Sequence, residues 1–219
     1  MRSQCLHGSA FGKINSMEPA NKIEAVIWDL GGVIVRTEDL SPRDALAERL
    51  DLSRAEINRI VFEGDDRFSA QRGEVDGDVY MQTISQKFGM DLPEFRTQFF
   101  GGDRVDQELV AFIRGLRPGC KTALLSNALS NLRNYLHTEW KISDAFDLIV
   151  VSAEEGLMKP DPAVYRLTLE RLAVPASAAV FIDDVAANVD AAVAIGMRGL
   201  VFQSRPQVLA ELAPLLGER

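Results

Sequence analysis

Short runs that are apolar at nearly every position recur along the chain, at Ile23–Trp28, Thr122–Leu125, Leu148–Val151, Ala179–Ile182 and Gly199–Phe202. Continuous runs of this kind, unlike the alternation of a half-solvated strand, predict parallel strands covered on both faces. Between them the apolar spacing becomes helical. Val105–Leu116 repeats apolar residues at Leu109, Phe112, Ile113 and Leu116, and Asp161–Leu172 carries Pro162 in its first turn, where proline is tolerated. Val185–Ile195 is alanine-rich and stops at Gly196, a C-terminal cap. Strands alternating with helices predict an α/β fold built on a doubly wound parallel sheet.

One stretch breaks the rhythm. The segment between the first and second strands is far too long for a single crossover helix. It carries helix starts at Ser41-Pro42, at Ser53 with Glu56 as a capping box, and at Asp76 for a helix to about Phe88, with no β-rich run among them. Residues 38–103 therefore read as an inserted α-helical cap domain with Gly101-Gly102 as its exit hinge, and 21–37 with 104–219 as the core domain. An insert placed directly after the first strand lies over whatever that strand's C-terminal end presents. Residues 1–20 have neither periodicity nor the apolar stretch of a secretory signal, and read as a disordered extension with Met17 as a second candidate start.

Composition narrows the class. Of 219 residues, 47% are hydrophobic and 26% charged, which is ordinary for a globular protein able to bury a core without a metal or disulfide staple. No run approaches the roughly 18 apolar residues of a membrane span, so no membrane partner is expected. The net charge of −8, without a basic stripe, argues against nucleic acid. Cys5 and Cys120 lack metal-ligand spacing, and a buried thiol in a reducing cytosol is the expectation, hence a cytoplasmic location. Oligomeric state leaves no signal.

The polar residues that matter sit where the strands end: Asp29 after the first, Ser126-Asn127 after the second, Asp183-Asp184 after the fourth. In open α/β sheets ligands bind beyond the carboxyl ends of the strands, at the switch in strand order. Singly, each is an ordinary turn residue; three strands delivering such groups to one edge predict a site. Converging carboxylates repel unless a proton or cation intervenes. Asp29, Asp183 and Asp184, hard oxygen donors without histidine or cysteine, suit Mg²⁺. Lys159, in GLMKPDPAVY, can lean into the same cluster and hold a carboxylate ionised. The bare backbone of Gly31 and Gly32, next to Leu30, lets amide N–H groups approach a phosphate.

The segments DLGGV, LLSN, KPDPAVY and FIDDVAANVDAAVAIGM resemble, in order and spacing, the four motifs of haloacid dehalogenase superfamily hydrolases, over about residues 23–203. Within that superfamily the protein is most similar to the branch of sugar-1-phosphate phosphatases and the phosphatase domain of soluble epoxide hydrolases, an impression to which QRGEV (71–75) adds. The resemblance implies a Mg²⁺-dependent phosphatase acting on a small phosphorylated molecule. It makes Asp29 the nucleophile that becomes an aspartyl-phosphate and Lys159 the stabiliser of phosphate and nucleophile. It further implies Ser126, Asn127, Leu30 and Gly32 at the phosphate, with Mg²⁺ held by Asp29, Asp184, the Gly31 carbonyl and Asp183, the last directly or through water. Asn188 would orient its loop.

Most phosphatases of the superfamily carry a second aspartate, the general acid and base, where this sequence has Gly31. Either the cap or the substrate supplies the proton, or the leaving group departs without help, as in an anomeric or acyl phosphate. Two other readings stay open: a haloacid dehalogenase, which needs no Mg²⁺, and a retired phosphate-binding or regulatory module. Phe68, Arg72 and Glu74 in the insert and Arg36 after the first strand are candidates to face the site.

Overall fold

The computed structural model describes residues 22–117 and 119–217; the predicted N-terminal extension, Met17 and Cys5 lie outside them. Its strands are β1 (Ala25–Trp28), β2 (Val35–Thr37), β3 (Asp103–Val105), β4 (Lys121–Ser126), β5 (Leu148–Val151), β6 (Ala179–Asp183) and β7 (Arg198–Val201). Five of them form one parallel sheet in the order β5-β4-β1-β6-β7. The polypeptide leaves β1 to build β4 and β5 on one side, then returns to build β6 and β7 on the other. The strand order switches at β1.

Side chains alternate across a strand, and β1 shows why both faces must be apolar. Val26 and Trp28 join a cluster with α6 (Gln107–Gly115) and α11 (Arg205–Leu216), through Leu109, Val110, Ile113, Val208 and Leu212. Ala25 and Ile27 join the opposite cluster with α9 (Pro162–Leu172) and α10 (Ala186–Ala194), through Val164, Tyr165, Leu169 and Ala192. The doubly wound α/β sheet expected from the apolar runs is present. Gly196, at φ +96°, follows α10 as the alanine-rich pattern predicts. Among the described residues no helix is long and apolar enough to cross a membrane.

Between β2 and β3 lie α1 (Ser41–Leu50), α2 (Arg54–Phe62), α3 (Asp65–Gln71), α4 (Gly77–Lys87) and α5 (Leu92–Phe100). These helices bury a cluster of their own around Leu46, Ile57, Tyr80, Ile84, Phe95 and Phe99, with Phe95 stacked on both Phe88 and Phe99. The Ser53–Glu56 capping box and the Asp76 cap are formed as the sequence suggests. Three features differ from expectation. α3 and α5 are additional helices, α5 capped by Asp91 with proline in its first turn. β2 and β3 pair antiparallel at the two ends of this segment, a ribbon too short to show a period. Val105 accordingly ends β3, and α6 starts two residues later, with Asp106 capping it by accepting from the Leu109 N–H. Arg43 ties α1 to the exit, donating from Nε to the Phe99 carbonyl (2.7 Å) and pairing through Nη2 with Asp103 (3.0 Å). The amides of Glu38 and Asp39 both donate to the Gly102 carbonyl, so the ways into and out of the helical segment lie side by side.

Short pieces join these elements, among them 3₁₀ turns at Ser143–Ala145 and Ala176–Ala178. α7 (Leu132–Asn134) runs into a π-helical turn, Tyr135–Glu139, and α8 (Ser152–Glu155) follows β5 directly.

Candidate active site

The register of the sheet places the site. Trp28 lies opposite Leu124 on one side and Ile182 on the other, so Asp29 emerges level with Leu125 and Asp183. Its N–H donates to the Ile182 carbonyl (2.8 Å), fixing the turn as β1 ends. Asp29, Ser126 and Asp183 are all buried, Asp183 completely, whereas Asp184 is exposed. Carboxylate oxygens of Asp29, Asp183 and Asp184 lie within 4.8 Å of one another.

Lys159 completes the cluster. Its side chain is 2% exposed, and Nζ donates to Asp29 Oδ1 and Asp183 Oδ2, each at 2.6 Å. A buried charge persists only when paired and hydrogen-bonded, and Asp183 is the best supplied group here. Its Oδ1 also accepts from the Val185 N–H (2.8 Å), and Asn188 Nδ2 lies 3.1 Å from both its oxygens. Asn188 thus serves the loop, and its own backbone carbonyl accepts from the Tyr165 hydroxyl (2.8 Å). Burial pushes the Asp29 carboxyl up to about 6; Lys159 draws it down and Asp183 pushes it up again. A group with that pKa is still about nine-tenths ionised at pH 7. Asp184 is also raised, by partial burial and by Asp183.

The loop after β1 assigns different work to its three residues. Leu30 is buried in the sheet's main cluster, and its carbonyl accepts from the amides of Ile34 and Val35. Its side chain is core, and what faces the site is its N–H, which hydrogen-bonds the Asp29 carboxyl. The Gly32 N–H donates to the Val35 carbonyl (2.9 Å). What Gly32 supplies is clearance: at φ +76°, a Cβ there would stand 2.1 Å from Asp184 Oδ2. Gly31 is exposed, and a Cβ on it would meet nothing within 4 Å.

Asn127 is likewise committed within the protein. Its Nδ2 donates to the Lys159 carbonyl and its Oδ1 accepts from the Lys159 N–H, both at 2.8 Å. The candidates Arg36, Arg72 and Glu74 turn elsewhere. Arg36 pairs with Asp106 (2.8 Å) and lies over the Phe202 ring, while Arg72 and Glu74 pair with each other at the surface. Phe68 is exposed on α3. A residue that sequence reasoning misses is Gln71, the first of QRGEV. It is buried, and its Nε2 donates to the Asn127 carbonyl (2.8 Å). An uncharged residue next to Arg72 and Glu74 has no chemistry of its own to single it out. The one signal is its place two residues before Gly73, a glycine at φ +75° where the helix stops.

A family model described as haloacid dehalogenase-like hydrolase matches residues 23–196. The protein is 30% identical over 202 residues to the sesquiterpene phosphatase astK of Aspergillus oryzae, covering 89% of this chain and 97% of that protein. It is 24% identical over 218 residues to the bifunctional epoxide hydrolase 2 of Sus scrofa, covering 89% of this chain but 39% of that longer protein. In fold it is similar to a Bacteroides thetaiotaomicron HAD family enzyme solved with magnesium and inorganic phosphate. That likeness has a TM-score of 0.70 at 16% identity, over 85% of this chain and 98% of the other.

Proposed function

The protein belongs to the haloacid dehalogenase-like hydrolases, and from that premise we propose a Mg²⁺-dependent phosphatase of small phosphate monoesters that works through an aspartyl-phosphate on Asp29. The observation that carries the reading is the Lys159 ammonium, 2.6 Å from Asp29 and from Asp183, beside a third carboxylate on Asp184.

The donor set fits Mg²⁺: hard oxygens only, close together, one of them exposed. Asp29, Asp184 and the Gly31 carbonyl would hold the ion, and Asp183, both of whose oxygens already accept hydrogen bonds, would reach it through water. When bound, the ion supplies charge neutralisation for the phosphoryl oxygens.

The protein's own residues do the rest. Lys159 occupies Asp29 Oδ1 and keeps the carboxylate ionised, which leaves Oδ2 to attack phosphorus. As the new O–P bond forms, the ester P–O bond breaks and the phosphoryl group passes to Asp29. Ser126, buried at the end of β4, donates its hydroxyl to the transferring group. Water then attacks phosphorus, releasing phosphate and restoring the carboxylate. Gly31 offers no proton to the departing oxygen, so that proton comes from solvent, and substrates whose leaving group is weakly basic are favoured. Asn127 holds the Lys159 backbone and is a positioning residue. Residues 38–103 act as the cap domain over this edge of the sheet.

For substrate, the branch-level resemblance supports a sugar phosphate, in particular a sugar 1-phosphate. A second reading rests on the Aspergillus relative, matched over 97% of its length and named a sesquiterpene phosphatase. It favours an apolar phosphate ester, and the exposed Val185 and Phe68 suit such a partner. A panel of sugar 1- and 6-phosphates, acyl phosphates, a prenyl monophosphate and p-nitrophenyl phosphate, with and without Mg²⁺, decides between them. Turnover is expected to need Mg²⁺, to vanish in Asp29→Asn and to leave an acid-stable label from ³²P-substrate on the parent protein. Activity undiminished by EDTA, with release of halide from 2-chloropropionate, would make it a dehalogenase. Phosphate binding without turnover of any ester would make it a retired module.

A further inference from the structure

We propose that Gln71 is a positioning residue that couples seating of the helical segment to the placement of Lys159; the proposal deepens the phosphatase reading and rests on it. The coupling is a continuous set of contacts. Gln71, the last residue of α3, donates from Nε2 to the carbonyl of Asn127 at 2.8 Å. The Asn127 side chain grips both backbone groups of Lys159, donating to its carbonyl and accepting from its N–H, each at 2.8 Å. Lys159 Nζ then holds Asp29 and Asp183. Every residue in this series except Asn127, which is half-buried, is buried, so competition from water is small and the geometry of each link fixes the next.

The neighbouring contacts show that α3 reaches Asn127 because the segment is seated there. Gly73, two residues on, is at φ +75°, and a Cβ on it would stand 2.1 Å from the Ala153 carbonyl. Backbone is therefore pressed against backbone at α8, a fit that only glycine permits. One turn further, the Gly77 N–H donates to Ser130 Oγ (3.0 Å) and Asn131 Nδ2 donates to Asp78 Oδ1 (2.8 Å). The loop 127–131 is thus clasped between the helical segment and the Lys159 loop. Ser126 leads into that loop, so the phosphate-binding hydroxyl and the ammonium are set by the same contact.

Two measurements test this. In Mg²⁺-supported hydrolysis of p-nitrophenyl phosphate, Gln71→Ala should lower kcat about tenfold, the worth of one well-placed buried hydrogen bond, with KM changed less than about twofold. In an Asn127→Ala background the same substitution should cost nothing further, because the relay is already cut, whereas independent packing roles would add. Gln71→Met, which keeps the length but loses the donor, should behave as Gln71→Ala. Amide hydrogen exchange reads the same coupling without turnover: Gln71→Ala should speed exchange of the Lys159 N–H about tenfold while amides of β1 and β6 are unchanged. Additive losses in the cycle, or unchanged Lys159 exchange, would overturn the coupling. No turnover by the parent protein would overturn the phosphatase reading, with the exchange experiment still deciding the role of Gln71.

Discussion

Gly31→Asp is the most informative single change, because the backbone there has room for it. A Cβ on Gly31 meets no heavy atom within 4 Å, and the position is exposed. The new carboxylate therefore enters without disturbing Asp184, and stability should shift by no more than about 0.5 kcal/mol. It would stand two residues after Asp29, protonated to serve the departing oxygen and ionised to draw a proton from water. Positioned acid–base groups contribute about 10²–10⁴-fold. A graft without neighbours to tune its pKa belongs at the lower end, about 10²-fold, which is ~2.7 kcal/mol at the transition state. The gain must appear only where a proton is needed. For a simple alkyl phosphate kcat/KM should rise about 10²-fold, and for p-nitrophenyl phosphate, whose phenolate leaves unprotonated, less than about threefold. The assay is a graded series of aryl and alkyl phosphates at fixed Mg²⁺, plotted as log kcat/KM against leaving-group pKa, with Tm as the fold control. The slope should be steep in the parent and shallow in the variant. Equal gains across the series, or loss of both activities at unchanged Tm, would refute the idea that a missing acid limits the parent.

Other changes probe the site's supports. Gly32→Ala drives a methyl group into Asp184 Oδ2, 2.1 Å away, and Mg²⁺ affinity measured by calorimetry should fall about 10- to 100-fold; an affinity within a factor of two of the parent would contradict the packing. Asp106→Asn removes the buried partner of Arg36 and Arg205 and should cost about 2–3 kcal/mol in urea unfolding. Burial raises the Asp106 carboxyl, but hydrogen bonds from Arg36, the Leu109 N–H and Arg205 outweigh it and hold it below the ordinary range. With the folded pKa depressed, the stabilisation is complete above the unfolded value of about 3.9 and is lost as pH falls through the folded one. Below about pH 4 the parent should therefore lose stability more steeply than Asp106→Asn, and parallel pH profiles would count against the pairing. Burial pushes the Cys120 thiol up to about 11. At pH 8 its thiolate fraction is then about 10⁻³, against about a quarter for a free thiol. With Cys5 replaced by serine, iodoacetamide should label the folded protein at least about 100-fold more slowly than the urea-unfolded one.

The sheet was legible because burial on both faces leaves few polar positions inside a strand, Thr122 in β4 being buried with its hydroxyl donating to the Ala145 carbonyl, and all five apolar runs became strands within a residue or two. Pairing at the strand ends was legible for the same reason: Asp29, Ser126 and Asp183 are the polar residues that end such runs. Hidden features fall into two kinds. β2 and β3 have three residues each, too few for alternation to register, and α3 starts after Gly64, which has no side chain to mark the boundary. The second kind is tertiary. Arg36 after β1 points in sequence toward the site, yet Asp106, brought close by the β2–β3 ribbon, captures it. Asn127 looks like a ligand for phosphate, and its amide is spent on Lys159. In both cases a polar side chain found a protein partner that only folding supplies.

Charge explains why such a cluster is tolerated at the end of three buried strands. One ammonium, Lys159, faces three carboxylates, Asp29, Asp183 and Asp184, so the cluster carries two negative charges in excess when all are ionised. Asp183 is satisfied from within, by Lys159, Asn188 and the Val185 N–H. The excess therefore resides on Asp29 and Asp184, whose carboxyls are both raised by burial and by the neighbouring Asp183. Relief by protonation would disable Asp29 as the proposed nucleophile. A divalent cation, on the proposed phosphatase reading, would neutralise the same two charges while leaving an oxygen of Asp29 free, and Gly32 keeps clear the space that the Asp184 carboxylate occupies. The buried Lys159–Asp183 pair is thus the fixed part of the site, and on the proposed phosphatase reading the Asp29–Asp184 pair is the part that a metal and a phosphate would complete.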